Sequence, residues 1–276
     1  MDYETVFNGK KNIIGMVHLL PLSSDVDFVS TRDITDRALY DAEALVKGGI
    51  RHAIIENDGD RPFGISNEGY DFSRIRERMI EVGRKINSEL GTDLTLGVQV
   101  LNNYGDTPGI VEAIGGKFLR SQFYWEHRID SDGREIHPNY NGITAANFGL
   151  DFVILADIDS KGSTPAKGNY DREDSIARLV KLAKAEYKPD ALIVTGSSTG
   201  NAPDAKDVSD FAVEVQDNDP NMPIGVGSGV TPEAIQAGLL DHVSVAVVGS
   251  FFKTDGKVDM KKVEQFMLVL GDKYAL

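Results

Sequence analysis

Residues 223–253 read PIGVGSGVTPEAIQAGLLDHVSVAVVGSFFK, and this stretch decides the fold. Two short apolar runs, 223–226 and 243–248, each lead into a turn of small residues, a pattern that predicts β-strands. Between them, residues 231–233 (Thr-Pro-Glu) supply an N-cap, a proline for the first helical position and an acidic first turn. The order is therefore strand, glycine turn, helix, strand, glycine turn, which suits the last units of a (β/α)₈ barrel.

The two glycine turns are candidate phosphate sites. Glycine lets the backbone approach a ligand closely, and successive N–H groups can surround phosphate oxygens. In (β/α)₈ barrels the loops after strands seven and eight often bind phosphate. The alternative is that these glycines serve packing. The predicted phosphate-binding residues are Gly227, Ser228, Gly229, Gly249 and Ser250.

Six more apolar β-like runs lie upstream and alternate with segments of helical spacing, and a last helical segment follows residue 253. The predicted strands are 13–17, 52–56, 94–101, 117–120, 151–157 and 191–194. The predicted helices are 33–47, 74–90, 107–114, 172–186, 207–215 and 260–270. Short, fully apolar strands are typical of a parallel sheet covered on both faces. The chain has 276 residues, close to the roughly 250 of such a domain. We predict one α/β domain over residues 1–276, a single (β/α)₈ TIM barrel.

One segment, about residues 121–142, follows neither periodicity. It is rich in aromatic and polar residues, and holds the single Trp and two of the five His. An irregular connection of this length is usually functional or an interface. Because Phe123, Tyr124 and Trp125 resemble interface composition, we expect a homo-oligomer.

Composition excludes several classes of function. There is no cysteine, so disulfides, thiolate metal sites and cysteine nucleophiles are excluded. A formal net charge of −14 argues against binding nucleic acid or docking on anionic lipid. No apolar run approaches the roughly 20 residues that span a bilayer, and residues 1–15 lack a signal-peptide pattern. We expect a cytosolic protein without membrane insertion.

Polar residues at the ends of the predicted strands are the candidate catalytic groups, because barrel active sites lie at that face. Glu56 and Asp157 each follow an apolar strand, where desolvation raises the pKa of a carboxyl group toward that of a useful base. The alternative is that they accept hydrogen bonds from loop N–H groups. His18 is a candidate acid/base group or metal ligand, or else a histidine that holds the Leu-Pro loop after it.

The remaining candidates would bind substrate. Lys161 and Lys253 could balance a phosphate or form a Schiff base, or be solvated loop lysines. Thr195, Thr199 and Asn102 follow other predicted strands and could orient substrate hydroxyls. A weaker hypothesis is Mg²⁺, for which the carboxylates are Glu56, Asp58, Asp157 and Asp159. The sequence does not identify a cofactor, and Mg²⁺ is the one hypothesis it offers.

With these residues in view, the chain resembles the BtpA/SgcQ family. The matching segments are IIGMVHLLPL (13–22), IIENDGDRPF (54–63), GVQVLNN (97–103), ADIDSKGS (156–163), ALIVTGSSTG (191–200), VGSGVTPEAI (226–235) and VVGSFFK (247–253). The resemblance implies a barrel fold. It implies an activity only loosely, since one branch is associated with photosystem I accumulation and another with sugar uptake and sugar kinases.

Two hypotheses follow. The first is an enzyme that performs acid/base chemistry on a phosphorylated small metabolite, a sugar phosphate or a nucleoside derivative, of isomerase, epimerase or lyase type. Glu56, Asp157, His18 and Lys161 would be its catalytic residues. The second is a non-catalytic assembly or stability factor for a membrane complex, as the photosystem branch suggests.

Overall fold

The eight strands predicted from the sequence form a closed parallel barrel, so the (β/α)₈ prediction is confirmed. The computed structural model describes residues 2–23, 29–61, 63–65, 68–103, 105–130, 132–146, 151–158, 163–166, 180–196 and 203–275. Among these residues, no helix is long and apolar enough to cross a membrane.

Strands and helices are numbered here in chain order. The strands are β1 (Asn12–His18), β2 (His52–Glu56), β3 (Thr95–Gln99), β4 (Phe118–Ser121), β5 (Arg128–Asp130), β6 (Glu135–Ile136), β7 (Val153–Ile158), β8 (Ser163–Pro165), β9 (Ala191–Thr195), β10 (Ile224–Gly227), β11 (Val245–Val248), β12 (Lys253–Thr254) and β13 (Lys257–Val258). The α-helices are α1 (Tyr3–Val6), α2 (Thr31–Lys47), α3 (Ser73–Leu90), α4 (Asp106–Ile114), α5 (Tyr140–Ala146), α6 (Ala205–Asn218), α7 (Pro232–Gln236) and α8 (Met260–Tyr274). The barrel order is β1-β11-β10-β9-β7-β4-β3-β2.

Alternate residues of each barrel strand point into the barrel, because the side chains of a strand alternate between its two faces. Those inside form a separate buried apolar cluster, with Ile14, Ile54, Leu155, Ile193 and Val247 among its members. The residues between them face the helices and join the larger outer core. Each strand is thus apolar on both faces, which is why it reads as a continuous apolar run.

The amino-terminal end of the barrel is closed. Helix α1 places Tyr3, Val6 and Phe7 in the inner cluster. The ring of Phe7 meets that of Phe118, the first residue of β4, at a centroid distance of 5.0 Å. Only the carboxyl ends of the strands therefore remain for a mouth.

Helices α2 and α7 begin at N-cap side chains, of which Thr231 was predicted from the sequence. The side chain of Thr231 accepts a hydrogen bond from the N–H of Ala234, as expected of an N-cap before Pro232. Ser30 caps α2 in the same way through Asp33. Of the predicted helix 172–186, residues 172–179 lie outside the described part, and Ala183–Tyr187 forms a π-helical turn.

The segment about 121–142, expected to be irregular, contains short regular structure. Strands β5, β6 and β8 form a small antiparallel sheet in the order β6-β5-β8, and α5 follows. Strands of two or three residues are too short to show a period-two pattern, which explains why the sequence gives no signal for them. We call this three-stranded unit the small sheet.

Candidate functional site

A ring of inward-facing residues surrounds the mouth of the barrel. Each is the last inward-facing residue at the carboxyl end of a barrel strand, either within the strand or directly after it. These residues, called here the mouth layer, are His18, Glu56, Gln99, Arg120, Asp157, Thr195, Gly227 and Gly249. Five of the eight were predicted as site residues from the sequence, and a sixth, Thr195, as a substrate contact. Polar groups at this face of a barrel are where its chemistry is expected.

Arg120 and Asp157 form a buried ion pair across the β4–β7 contact. The guanidinium Nε and Nη2 each donate to one carboxylate oxygen at 2.8 Å, and the Asp157 side chain is fully buried. Burial opposes the charge of Arg120, but Asp157 and Glu56 outweigh it and raise the pKa of the guanidinium. These two bonds occupy both carboxylate oxygens of Asp157 and hold the group against Arg120. This geometry favours a positioning role for Asp157 over the proton transfer expected from the sequence.

Glu56, His18 and Asp58 form a row at the mouth. The His18 Nε2 lies 3.6 Å from a Glu56 oxygen, and Nδ1 lies 3.8 Å from an Asp58 oxygen. Burial would raise the pKa of Asp58, but His18, Arg61 and Lys253 outweigh it and lower that pKa. The imidazole is thus placed between two carboxylates, one on each ring nitrogen.

The Leu-Pro loop after β1 is held by hydrogen bonds with the loop after β2. Asp60 accepts hydrogen bonds from the N–H groups of Leu22 and Ser23, at 2.6 and 2.8 Å. The N–H of Gly59 donates to the carbonyl of Leu19. The side chain of His18 also lies near the carboxylates of Glu56 and Asp58.

The two mouth-layer glycines differ in the space around them. A Cβ on Gly227 would lie 2.7 Å from Nη2 of Arg120, too close without a shift, whereas one on Gly249 would lie 3.4 Å from the His18 ring, an ordinary contact. Packing is therefore a reason for glycine at position 227. The turn beyond β10 has an unusual backbone conformation, with φ of 91° at Ser228 and 65° at Gly229. Positive φ is unfavourable for a residue other than glycine, and residues that adopt it cluster at functional sites.

Lys253 lies beside the row of carboxylates, shortly after β11. Burial lowers its pKa to about 8, although the charges of Asp41, Asp58 and Glu56 act in the opposite direction. A lysine with this pKa has a substantial neutral fraction near neutral pH, and its ammonium form can balance an anion. Lys253 could therefore either balance the charge of a phosphate or form a Schiff base, the two roles expected from the sequence.

This low pKa can be measured directly. In reductively ¹³C-methylated protein followed by NMR, we expect one lysine to titrate with a midpoint of about 8, against about 10.4 for ordinary lysines. The resonance should be missing in Lys253→Arg and present in Lys257→Arg, which changes a neighbouring exposed lysine. If every lysine titrates above about 9.5, the environment assigned to Lys253 is wrong.

Some predicted site residues can be placed and others cannot. Thr195 ends β9 in register with Gly227, and Asn102 is buried just beyond β3 with a φ of 58°. Ser250 begins a 3₁₀ turn after Gly249. Lys161, Thr199 and Asp159 lie outside the described residues. The structure thus brings Glu56, His18, Asp157, Thr195 and Lys253 to one end of the barrel.

Gln99, a residue of the mouth layer, was missed by sequence reasoning. Its buried side-chain oxygen has no hydrogen-bond partner among the described residues, and such groups are often found where a ligand binds. The strand around Gln99 was expected to continue to Leu101, but β3 ends at Gln99 itself. Gln99 could have been identified because it is a polar residue at an inward-facing position of an otherwise apolar strand.

The aromatic residues of the 121–142 segment are not an exposed interface, and that expectation was wrong. Phe123, Tyr124 and Trp125 are each at most 5% exposed. Trp125 stacks on Tyr187 with ring centroids 5.7 Å apart, and the rings of Tyr124 and Tyr140 meet edge to face. These side chains anchor the segment to its own barrel.

The carboxylates of Glu56, Asp58 and Asp157 do not gather into a group that could hold a metal ion, as far as the described residues go. His18 separates the first two, and Asp157 is engaged by Arg120. The Mg²⁺ hypothesis therefore stays a prediction that would need substrate oxygens as further ligands. Three ligand-type residues do gather elsewhere, in the small sheet.

Comparison with known proteins agrees with the fold and the resemblance. A sequence model of the BtpA family matches residues 9–271. An uncharacterized protein of Archaeoglobus fulgidus is 27% identical over 94% of this chain and 98% of its own. The photosystem I biogenesis protein BtpA of Synechocystis is 26% identical over 94% of this chain and 86% of its own. Thiamine phosphate pyrophosphorylase of Pyrococcus furiosus has a similar fold, with a TM-score of 0.55 at 11% identity over 96% of this chain and 97% of its own.

Proposed function

The chain belongs to the BtpA family, and from this premise and the mouth layer we propose that it is an enzyme that moves protons on a phosphorylated small metabolite. The substrate class is a sugar phosphate or a nucleoside-derived phosphate, and the reaction is of the isomerase, epimerase or lyase type. The observation that carries the proposal is the row Glu56–His18–Asp58 at the open end of the barrel.

Glu56 and His18 would share the proton transfers. Both reach the mouth: the side chains are 10% and 24% exposed. Glu56 would take a proton from a substrate carbon, and His18 would return one to the neighbouring atom or to an oxygen. The gap of 3.6 Å between them is longer than a hydrogen bond, but catalytic contacts often tighten only when substrate binds. Asp58 would hold the His18 ring in place through its other nitrogen.

Arg120 and Asp157 would supply a fixed electrostatic environment. Because both groups are buried and mutually bonded, their charges stay in place during a reaction and need no reorganisation. Thr195 and Gln99, on the same layer, would orient substrate hydroxyl groups. Asp157 in this proposal positions Arg120 rather than taking a proton.

The phosphate would bind next to the Glu56–His18–Asp58 row, at the turns after β10 and β11, since β11 is the barrel neighbour of β1. Backbone N–H groups of Gly229, Gly249 and Ser250 would contact its oxygens, as in many barrels, whereas the N–H of Ser228 donates to the carbonyl of Val247. Lys253 would balance its charge. The protein of similar fold from Pyrococcus furiosus is named as a thiamine phosphate pyrophosphorylase, and an enzyme that handles a phosphate compound agrees with this proposal.

A thermal-shift screen tests the phosphate site. The compounds are inorganic phosphate, sugar phosphates and nucleotides, each with and without Mg²⁺. A ligand at about 100 times its dissociation constant should add roughly 2.7 kcal/mol of stability, which raises the melting temperature of a domain of this size by several degrees.

Two lysine variants make the screen specific. Lys253→Met should reduce the shift given by the best phosphorylated compound, whereas Lys257→Met, at an exposed position nearby in the chain, should keep it. If no phosphorylated compound stabilises a well-folded sample, the phosphate assignment is wrong.

A second candidate function has one observation in its favour, the name of the Synechocystis relative. Under it, this chain would be a non-catalytic factor for assembly or stability of a membrane complex. The charged row at the mouth would then be dispensable. A Glu56→Gln variant distinguishes the two functions, since only an enzyme would lose turnover through it.

Location and oligomeric state belong to the proposal as well. We infer that the enzyme works in the cytosol and away from anionic membranes and nucleic acid, which its net charge of −14 disfavours. A homo-oligomer remains a prediction without the aromatic interface that first suggested it. Light scattering coupled to size-exclusion chromatography would test it.

A further inference from the structure

The small sheet carries two histidines and a glutamate whose side chains converge on one face. In the β5–β6 pair, Arg128 lies opposite Ile136 and Ile129 lies opposite Glu135. Extending this register by one residue places His127 opposite His137. Because side chains alternate along a strand, His127, Glu135 and His137 share one face of the pair.

The other face of the pair is buried and fixes this arrangement. Ile136 and Arg128 are 1% and 2% exposed, and Arg128 is ion-paired with Glu126 at 2.9 Å. A one-residue slip would exchange the two faces, so burial of Ile136 sets the register. The three ligand-type side chains are therefore held outward together.

The potential ligand atoms are already close to one another. Nε2 of His127 and Nε2 of His137 lie 3.6 and 3.8 Å from the same oxygen of Glu135. One ligand atom from each residue can be chosen so that all three lie within 4.8 Å of one another. Around a tetrahedral Zn²⁺ with bonds of about 2.0–2.1 Å, such atoms are about 3.3 Å apart. Small side-chain rotations would close the remaining distance.

His127 gives an independent indication of a missing partner. Its Nε2 is buried from solvent and has no hydrogen-bond partner within the described part of the chain, the Glu135 oxygen being too distant at 3.6 Å. A buried polar atom left unsatisfied is unfavourable, and in native proteins an ion or a water often satisfies such an atom. A metal ion between the three side chains would do so here.

The surrounding backbone is rigid enough to present a preformed site. The carbonyl of His127 accepts a hydrogen bond from the backbone N–H of Ala166, the residue directly after β8. In the β5–β6 turn, one oxygen of Asp130 accepts from the N–H groups of Asp132 and Arg134, and Arg134 also donates to the carbonyl of Phe63. The two strands bearing the ligands are thus fixed relative to each other.

From this geometry we propose that His127, Glu135 and His137 bind a divalent first-row transition metal of the Zn²⁺ or Fe²⁺ type. Two imidazoles and one carboxylate suit these metals, whereas Mg²⁺ and Ca²⁺ prefer ligand sets made of oxygen. Glu135 and His137 are 62% and 51% exposed, so solvent reaches the metal and water fills its remaining positions. The site is separate from the mouth layer and does not depend on the function proposed for it.

Calorimetric titration of the chelator-treated full chain with Zn²⁺ tests the site. We expect one equivalent of Zn²⁺ to bind, and millimolar Mg²⁺ not to displace it. His137→Gln and Glu135→Gln should each weaken this binding by about 100-fold or more, since even loss of an outer contact to a ligand costs about 10–100-fold. Both side chains are exposed, so the variants should fold, which circular dichroism checks.

His242→Gln is the matched control, because His242 is an exposed histidine far along the chain from the small sheet. It should bind Zn²⁺ as the unmodified protein does. Absence of Zn²⁺ binding, equal binding by all variants, or displacement by Mg²⁺ would each overturn the proposal.

Discussion

Replacing Arg120 by methionine is expected to lower the free energy of unfolding by about 3–5 kcal/mol, because it leaves a buried carboxylate without its partner. The Asp157 side chain is fully buried, and each of its carboxylate oxygens accepts a hydrogen bond from this one guanidinium. Urea unfolding followed by circular dichroism measures the loss.

Two controls separate burial from charge. Lys85→Met removes an exposed ion pair with Glu89 of nearly the same length, 2.7 Å, and should cost no more than about 1 kcal/mol. The double variant Arg120→Met/Asp157→Leu removes both charges and should recover much of the stability lost in the single variant. A single variant as stable as the unmodified protein would contradict the buried pair.

The fold follows from local signals that agree with one another. Strands such as β2 and β11 are apolar on both faces, and Thr231 with Pro232 marks a helix start between the last two strands. In a parallel barrel, consecutive strands pair with their neighbours in sequence, so finding the elements in order is enough to give the topology.

The composition of the mouth could be predicted for a similar reason. All barrel strands end at one face, so a polar residue at a strand end has a known location before any contact is known. This is why His18, Glu56 and Asp157 were identified, and why Gln99 was missed when the end of β3 was placed too late in the chain.

Pairings within the mouth could not be predicted. Arg120 and Asp157 are 37 residues apart on neighbouring strands, and the sequence does not say that their side chains meet. The same holds for the space above Gly227, which Arg120 occupies and which sequence alone suggests for phosphate. The alternation of side chains along a strand predicts which residues face the barrel interior. Which of these side chains bond to one another depends on their rotamers, which the sequence does not give.

The small sheet was the least predictable part of the chain. Its strands have two or three residues, and the aromatic residues that precede it, Phe123, Tyr124 and Trp125, suggested an interface. In the structure Tyr124 packs on Tyr140 of the same segment, and Trp125 stacks on Tyr187 from elsewhere in the chain. Composition alone cannot tell whether an aromatic cluster packs against its own chain or against a partner.

Substitution of Glu56 by glutamine is expected to reduce turnover by about 10²–10⁴-fold, the usual contribution of a general acid or base. Glutamine keeps the shape of the side chain and removes its ability to accept a proton. The measurement uses the phosphorylated compound that stabilises the protein most in the thermal-shift screen. In D₂O, NMR follows the entry of deuterium at the carbon that loses its proton.

The design separates a base from a group that only holds substrate. Glu56→Gln should still give the thermal shift with the phosphorylated compound, because the phosphate would be bound by the turns after β10 and β11 and by Lys253. Glu89→Gln, at an exposed helical position, should exchange deuterium at the unmodified rate. If the Glu56 variant exchanges as fast as the unmodified protein, proton transfer at this residue is ruled out. An unmodified protein that binds the compound without exchanging any proton would favour the assembly function, because under that function nothing at the mouth has to react.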